Sequence, residues 1–204
     1  MTADSPVVVA VTGASGAALG VRVAERLAGV EAVRLHVVVS DAARRTIAHE
    51  VGPDAFARLR ELADVSHDIA DVGASIASGS YPTRGMIVAP CSMRTLSAIA
   101  TGIADNLVVR AADVHLKERR ALILMARETP LHLGHLRAMV SVTEMGAIVM
   151  PPVPAFYNRP ADIAAIIDHL AAKAIDMLRL PISPLAPVWG GMTGSSSPYS
   201  ETDG

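Results

Sequence analysis

The sequence predicts a doubly wound α/β fold built on one parallel sheet. Three observations carry this expectation. Five short aliphatic runs, residues 7–11, 33–39, 86–89, 121–125 and 147–150, lack the alternation of a half-exposed strand. Strands covered on both faces read in this way. Helical patterns separate the runs, and strand alternating with helix argues for parallel pairing. A chain of 204 residues suits a single domain.

The elements follow in order. The first run ends at TGASGAALG, residues 12–20, and a helix is expected over 16–28. Glycines at such a turn let backbone N–H groups approach an anion at the helix start. The spacing is not GxGxxG. It is nearer a shifted TGxxxGxG of the short-chain dehydrogenases, but Tyr81, Tyr157 and Tyr199 all lack a Lys four residues on. The second run ends in Ser40-Asp41, with helices expected over 41–50 and 54–63. An acid there suits a ribose diol or an early helical position equally well. The third run opens into VAPCSMRTL, residues 88–96, and one or two helices over 93–117. The fourth is followed by RETPLH and a helix over 132–144, the fifth by PAFYNRP. The last helix, about 161–178, has Pro160 at its start and Ile163, Ile166, Ile167, Leu170, Ala174 and Leu178 in one stripe. Residues 1–180 are read as the domain. Residues 181–204, rich in Pro, Gly and Ser, are read as a tail that is mobile toward its end.

Composition limits the function classes. Net charge is -2 and the pI is near 6.4, which suggests neither nucleic acid nor an anionic membrane as partner. The N-terminal stretch has no basic region before its apolar run, and no run reaches membrane-spanning length. The expectation is a cytoplasmic protein. Hydrophobic residues reach 51% with only 3% aromatic, and mean hydropathy is +0.38. That excess of aliphatic residues points to surface buried in a homo-oligomer. The single cysteine, Cys91, excludes a disulfide framework and a Cys-cluster metal site. His132 and His135 share the spacing of a helical ligand pair, but no further ligand cluster joins them, and no metal is expected.

Several segments occur together in a fixed order: GAS at 13–15, SDAA at 40–43, SGS at 78–80, APCSMRTLSAIATGIADNL at 89–107, RAADVHLKERR at 110–120, RETPLH at 127–132 and PAFYNRP at 154–160. On these the chain resembles the UbiX-type flavin prenyltransferases, within the wider flavin-binding decarboxylase-like flavoproteins, from about residue 7 to 180. The resemblance implies a Rossmann-like, flavodoxin-type sheet in a single three-layer domain that assembles into a homo-oligomer, often a dodecamer. It implies reduced FMN and dimethylallyl phosphate as ligands. The dimethylallyl group is joined to N5 and C6 of the flavin, without a metal, and the prenylated FMN passes to a UbiD-type decarboxylase.

The same resemblance suggests roles for individual residues. Gly13, Ala14, Ser15, Ser40, Ser92, Met93, Arg94, Thr95 and Arg127 are expected to bind FMN. Arg110, Lys117, Arg127, Tyr157, Lys173 and Trp189 are expected around dimethylallyl phosphate, with Trp189 closing over the site. Glu128, Ser15, Glu50 and Tyr157 are the catalytic candidates, Glu128 as the acid that moves a proton. Many relatives carry Arg where Lys173 stands; Lys keeps the charge and loses the bidentate fork. Residue chemistry agrees at 92–95, where a strand ends, a helix begins and two hydroxyls stand beside its free N–H groups. Ser15 and Ser40 are equally suited to helix N-caps, Glu50 to a polar helix end, and KERR to a solvated basic face.

Three other functions compete. A cysteine-type decarboxylase of the same fold would need a PASANT-like loop and a PxMNxxMW motif, where this chain has PCSMRT and PAFY. An FMN-binding accessory subunit would not need Glu128, Tyr157 and Lys173 together. A nicotinamide-dependent reductase lacks its Tyr-Lys pair. Cys91 has no His–Asn or CxxC partner, so it is expected to be dispensable.

Overall fold

The computed structural model describes residues 5–188 and Gly190. It contains six parallel strands: β1 (Ser5–Val11), β2 (Val33–Val39), β3 (Val65–His67), β4 (Gly85–Cys91), β5 (Ala121–Ala126) and β6 (Ile148–Val149). Their order across the sheet is β3-β2-β1-β4-β5-β6. The five expected strands are all present, in the flavodoxin-type arrangement, and β3 adds a sixth at the edge. That three-residue strand, Val-Ser-His, is too short and too polar to register as an apolar run. The order reverses between β1 and β4, so the crevice outside their carboxyl ends is the topological switch point.

Helices cover both faces. On one side lie α1 (Ala17–Ala28), α2 (Asp41–Glu50), α3 (Ala55–Leu62) and α7 (Ile163–Asp176). They pack on Val7, Val9, Val11, Leu35, Val37 and Val39. On the other side lie α4 (Met93–Thr101), α5 (Leu107–Lys117) and α6 (Leu133–Glu144), against Val8, Ala10, Met86, Val88, Leu122 and Leu124. The period-2 division of β1 between two cores is the reason its sequence shows no alternation.

Two contacts place α1, which opens directly at the switch point. Gly20 lies against β4 so closely that a Cβ there would sit 2.1 Å from the Ala89 carbonyl oxygen. At the other flank, Arg22 and Arg26 both donate to Asp168 of α7, at 2.7 Å and 2.5–2.8 Å. The two guanidinium groups hold the Asp168 carboxyl down to about 2. Across the sheet, α5 ends in a structural knot. Buried His115 meets the Ala111 carbonyl at 2.7 Å and Thr83 Oγ1 at 2.9 Å. Arg120 donates to the carbonyls of Gly79 and Tyr81 at 2.5 and 2.7 Å. Arg120, the last residue of the KERR motif, therefore fastens the loop that leads into β4.

Candidate functional site

Thr12 joins the two strands at the switch point. Its buried hydroxyl donates to the Pro90 carbonyl at 2.7 Å and accepts from the Ser92 N–H at 2.8 Å. The Ala89–Pro90 peptide is cis. The two Thr12 hydrogen bonds lock the ends of β1 and β4 together, and α4 starts immediately above. Ser92 is its N-cap, accepting from Thr95 N–H at 3.3 Å and donating to Thr95 Oγ1 at 3.1 Å. Ser40 caps α2 in the same way, accepting from Ala43 N–H at 3.2 Å. Asn106 caps α5, accepting from Val109 N–H at 3.1 Å. An Ncap hydroxyl or amide satisfies one of the orphan N–H groups at each start and leaves others for a ligand.

These three helix starts surround one cavity of about 550 Å³, lined by Thr12, Gly13, Ser40–Ala42, Ile69, Ala70, Ser92, Arg94, Thr95, Asp105, Asn106 and Val108. Its size is that of a small-molecule site. Ile69, Ala70, Ala42 and Val108 supply apolar walls for a planar ring system. The hydroxyls and N–H groups at the starts of α2 and α4 supply an anion cradle. Gly13 presses on Ala42, where a Cβ would approach the Ala42 Cβ to 2.5 Å, so the β1 and β2 loops close into one wall. The residues present fit a flavin mononucleotide.

The expected FMN residues divide accordingly. Gly13, Ser40, Ser92, Arg94 and Thr95 line the cavity. Arg94 is held at its rim by Asp105 at 2.6 Å. Met93 turns its buried side chain into the second core, leaving its backbone N–H at the helix start. Ser15 is not the N-cap of α1; Gly16 is, at φ 96. Ser15 instead bonds the carboxylate of Glu50, which also accepts the Gly16 and Ala17 N–H groups at 2.8 Å each. Burial works to raise the Glu50 pKa, but these bonds and the charge of Arg127 outweigh it and hold the pKa below the usual range. Ser15, Glu50 and Arg127 thus form one cluster at the mouth of α1.

The remaining candidates lie apart within one chain. Glu128 is exposed just past β5, its carboxylate accepting from Thr129 N–H at 3.1 Å. Tyr157 is half-exposed in a short 3₁₀ turn, Phe156–Asn158, and Lys173 is exposed on α7. Arg110 binds the Ala77 carbonyl and Asp113 at 3.2 and 2.9 Å. Lys117 ends α5 and pairs with Glu118. Neither Arg110 nor Lys117 lines the cavity. Trp189 lies outside the described residues. Cys91 is fully buried at the end of β4, and burial pushes its thiol up to about 12. A thiol held protonated in this way is a poor nucleophile. His132 caps α6, its Nδ1 accepting from Gly134 N–H at 3.0 Å. Among the described residues no group of three or more His, Cys, Asp or Glu is placed to hold a metal.

Thr12, Ala42, Ile69, Ala70, Asp105, Asn106 and Val108 escape the sequence reading. Asn106 carried a usable signal, since it follows TGIAD and precedes an apolar helical run. Gly102, left-handed at φ 71, breaks the 93–117 pattern there into α4 and α5.

Comparison with known proteins adds to this geometry. The Flavoprotein family model matches residues 1–176. Flavin prenyltransferase UbiX of Thauera aromatica is 51% identical over 189 residues, covering 93% of this chain and 94% of that one. The crystal structure of AnUbiX (PadA1) in complex with FMN and dimethylallyl pyrophosphate superposes with a TM-score of 0.84 at 45% identity, covering 92% of this chain and 98% of that one. The dodecameric FMN-dependent Ubix-like decarboxylase from Escherichia coli O157:H7 gives 0.86 at 46% identity, covering 91% and 100%.

Proposed function

The chain belongs to the Flavoprotein family and within it to the UbiX-type flavin prenyltransferases, and from that membership we propose that it transfers a dimethylallyl group from dimethylallyl phosphate to reduced FMN. One observation carries the reading most directly: the cavity at the switch point is walled by apolar residues and by the capped starts of α2 and α4, as a mononucleotide requires. Bound reduced FMN supplies the nucleophilic N5 and C6.

The chain's own residues bind, orient and shield. Ser40, Ser92 and Thr95, with the N–H groups of α2 and α4, hold the flavin phosphate. Gly13, Ala14 and Ser15 border the ring. Arg127 sets the charge at the cavity mouth. As the carbon–oxygen bond of the allylic phosphate breaks, negative charge grows on the leaving group and positive charge on the allyl carbon. Lys173, Arg127, Arg110 and Lys117 suit the first, and the Tyr157 ring suits the second. Glu128 stands at the end of β5, where it can give a proton to the leaving phosphate or accept the ring proton. Glu50 acts through Ser15 as a positioning residue. Trp189 is assigned to closing the site.

Arg110 and Lys117 do not line the cavity of their own chain, which supports the reading that a neighbouring copy completes the site. The exposed stripe Leu133, Leu136 and Val140 on α6, 45–59% accessible, supports assembly through this face. Among the described residues no helix is long and apolar enough to cross a membrane. We place the enzyme in the cytoplasm, as a dodecamer that passes prenylated FMN to a UbiD-type decarboxylase. The test is anaerobic incubation with reduced FMN and dimethylallyl phosphate, followed by mass spectrometry of the flavin. A flavin whose mass increases by one dimethylallyl group is expected. An unchanged mass, where a UbiX control reacts, refutes the reading.

A further inference from the structure

The first βα turn of a doubly wound sheet is where the pyrophosphate of a dinucleotide rests on the N–H groups opening α1. In this chain that position is already filled. The two N–H groups of Gly16 and Ala17 converge on a single oxygen, Oε2 of Glu50, at 2.8 Å each. The carboxylate arrives from the last turn of α2, more than thirty residues along the chain. Ser15 donates to the same group, and the charge of Arg127 acts on it. A carboxylate with three donors and a nearby cation satisfies what a bound phosphate would satisfy. It also repels one.

The neighbouring helix starts differ. The α2 and α4 starts are capped by neutral hydroxyls, Ser40 and Ser92, and the one carboxylate in their first turns, Asp41 of α2, stands at the cavity wall 3.9 Å from Arg44. Of the helix starts around the cleft, α1 alone is plugged by an anion from within the chain. We propose that Glu50 is a specificity-determining residue: a resident anion that closes the α1 start to phosphate, directs the one phosphate of a mononucleotide to α2 and α4, and refuses pyrophosphate-linked dinucleotides. The inference rests on reading the cleft as an FMN site.

The experiment compares wild type, Glu50→Gln and Glu50→Ala. Calorimetry measures FMN affinity for each protein. Inorganic pyrophosphate and ADP-ribose are then titrated into the FMN-saturated and the FMN-free forms. Crystals of the variants grown with pyrophosphate locate the anion. The expected result is that Glu50→Ala raises the ratio of pyrophosphate to FMN affinity tenfold or more. Anion density should then lie on the Gly16 and Ala17 N–H groups. Glu50→Gln keeps the shape, loses the charge and raises the ratio by less, so it decides the question if the alanine variant does not fold. A ratio unchanged in both variants, with water alone at α1, overturns the proposal. Failure of the wild type to bind FMN strikes the mononucleotide reading instead, and the pyrophosphate comparison still decides the role of Glu50.

Discussion

Gly20→Ala separates intrinsic helix propensity from the packing that positions the site. On an exposed helix the change stabilises by about 1 kcal/mol, because alanine loses less backbone entropy. At Gly20 the added Cβ would lie 2.1 Å from the Ala89 carbonyl oxygen and 2.9 Å from a Val11 methyl. The contact atom is backbone, so no side chain can rotate away. Relief requires α1 to retreat from β4 by roughly 1 Å, a displacement that forfeits a large part of each contact across that interface. Overpacking of this kind costs about 1–3 kcal/mol, sometimes more. Set against the propensity gain, a net loss of about 1–2 kcal/mol is expected, seen as a fall in Tm of about 2–8 °C. The site should register the same shift. Ala89 precedes Pro90, whose carbonyl anchors Thr12, and α1 carries the Gly13–Ser15 loop. FMN affinity measured by flavin fluorescence should fall at least threefold. A Tm that rises, or FMN binding unchanged within error, would refute the claim that the α1–β4 contact sets the cleft.

Other substitutions test the assignments directly. Glu128→Gln should retain FMN binding while slowing formation of prenylated flavin by about two to four orders of magnitude, the typical range for a lost acid–base group; undiminished turnover removes Glu128 from the mechanism. Cys91→Ser or Cys91→Ala should keep activity, because the thiol is buried and protonated and the flavin supplies the nucleophile; loss of turnover with FMN still bound would restore a chemical role. Stability should depend on His115 in acid. Burial holds its folded pKa near 4 against an ordinary value of 6.5. The unfolded chain therefore takes up a proton first as pH falls. The stability present above pH 6.5 is lost between 6.5 and about 4, by about 3 kcal/mol in all. His67, also held down by burial, adds to the same limb. Urea unfolding between pH 7 and 4.5 should show a shallower pH slope in His115→Gln than in the wild type, and an equal slope would contradict the assignment.

The fold was legible where burial is uniform. The aliphatic runs of β1, β2, β4 and β5 are buried on both faces, so their composition alone announces them. β6, two residues at one edge, still announced itself through the aliphatic run 147–150, whereas β3, three residues at the other edge, carries little pattern of its own. The strand state of β3 comes from pairing with β2, which is a tertiary cause. The helix starts around the cleft were legible in part because a hydroxyl before an apolar run has one strong local explanation, an N-cap. Ser40 and Ser92 serve in that way, with the same geometry that a phosphate site needs. For Ser15 the N-cap alternative does not hold. The left-handed Gly16 takes the cap position and frees Ser15 to meet Glu50.

What stayed hidden is contact between segments distant in sequence. Nothing local in HEVG marks Glu50 as the carboxylate that fills the start of α1, and nothing local in VTG marks Thr12 as the rivet between β1 and β4. Both depend on where two loops end up in space. The basic residues present the complementary case. KERR reads locally as a solvated face, yet Arg120 is consumed in holding the 79–83 loop, while Lys117 pairs with Glu118 at the far end of α5. A charge enclosed by backbone carbonyls cannot also serve a diffusible phosphate, so Arg120 is structural on geometric grounds. Lys117, paired only at the surface, can exchange Glu118 for a stronger anion at little cost. The part of the motif that remains available is therefore Lys117, which does not line the cleft of its own chain. That availability is what the proposed completion of the site by a second copy requires.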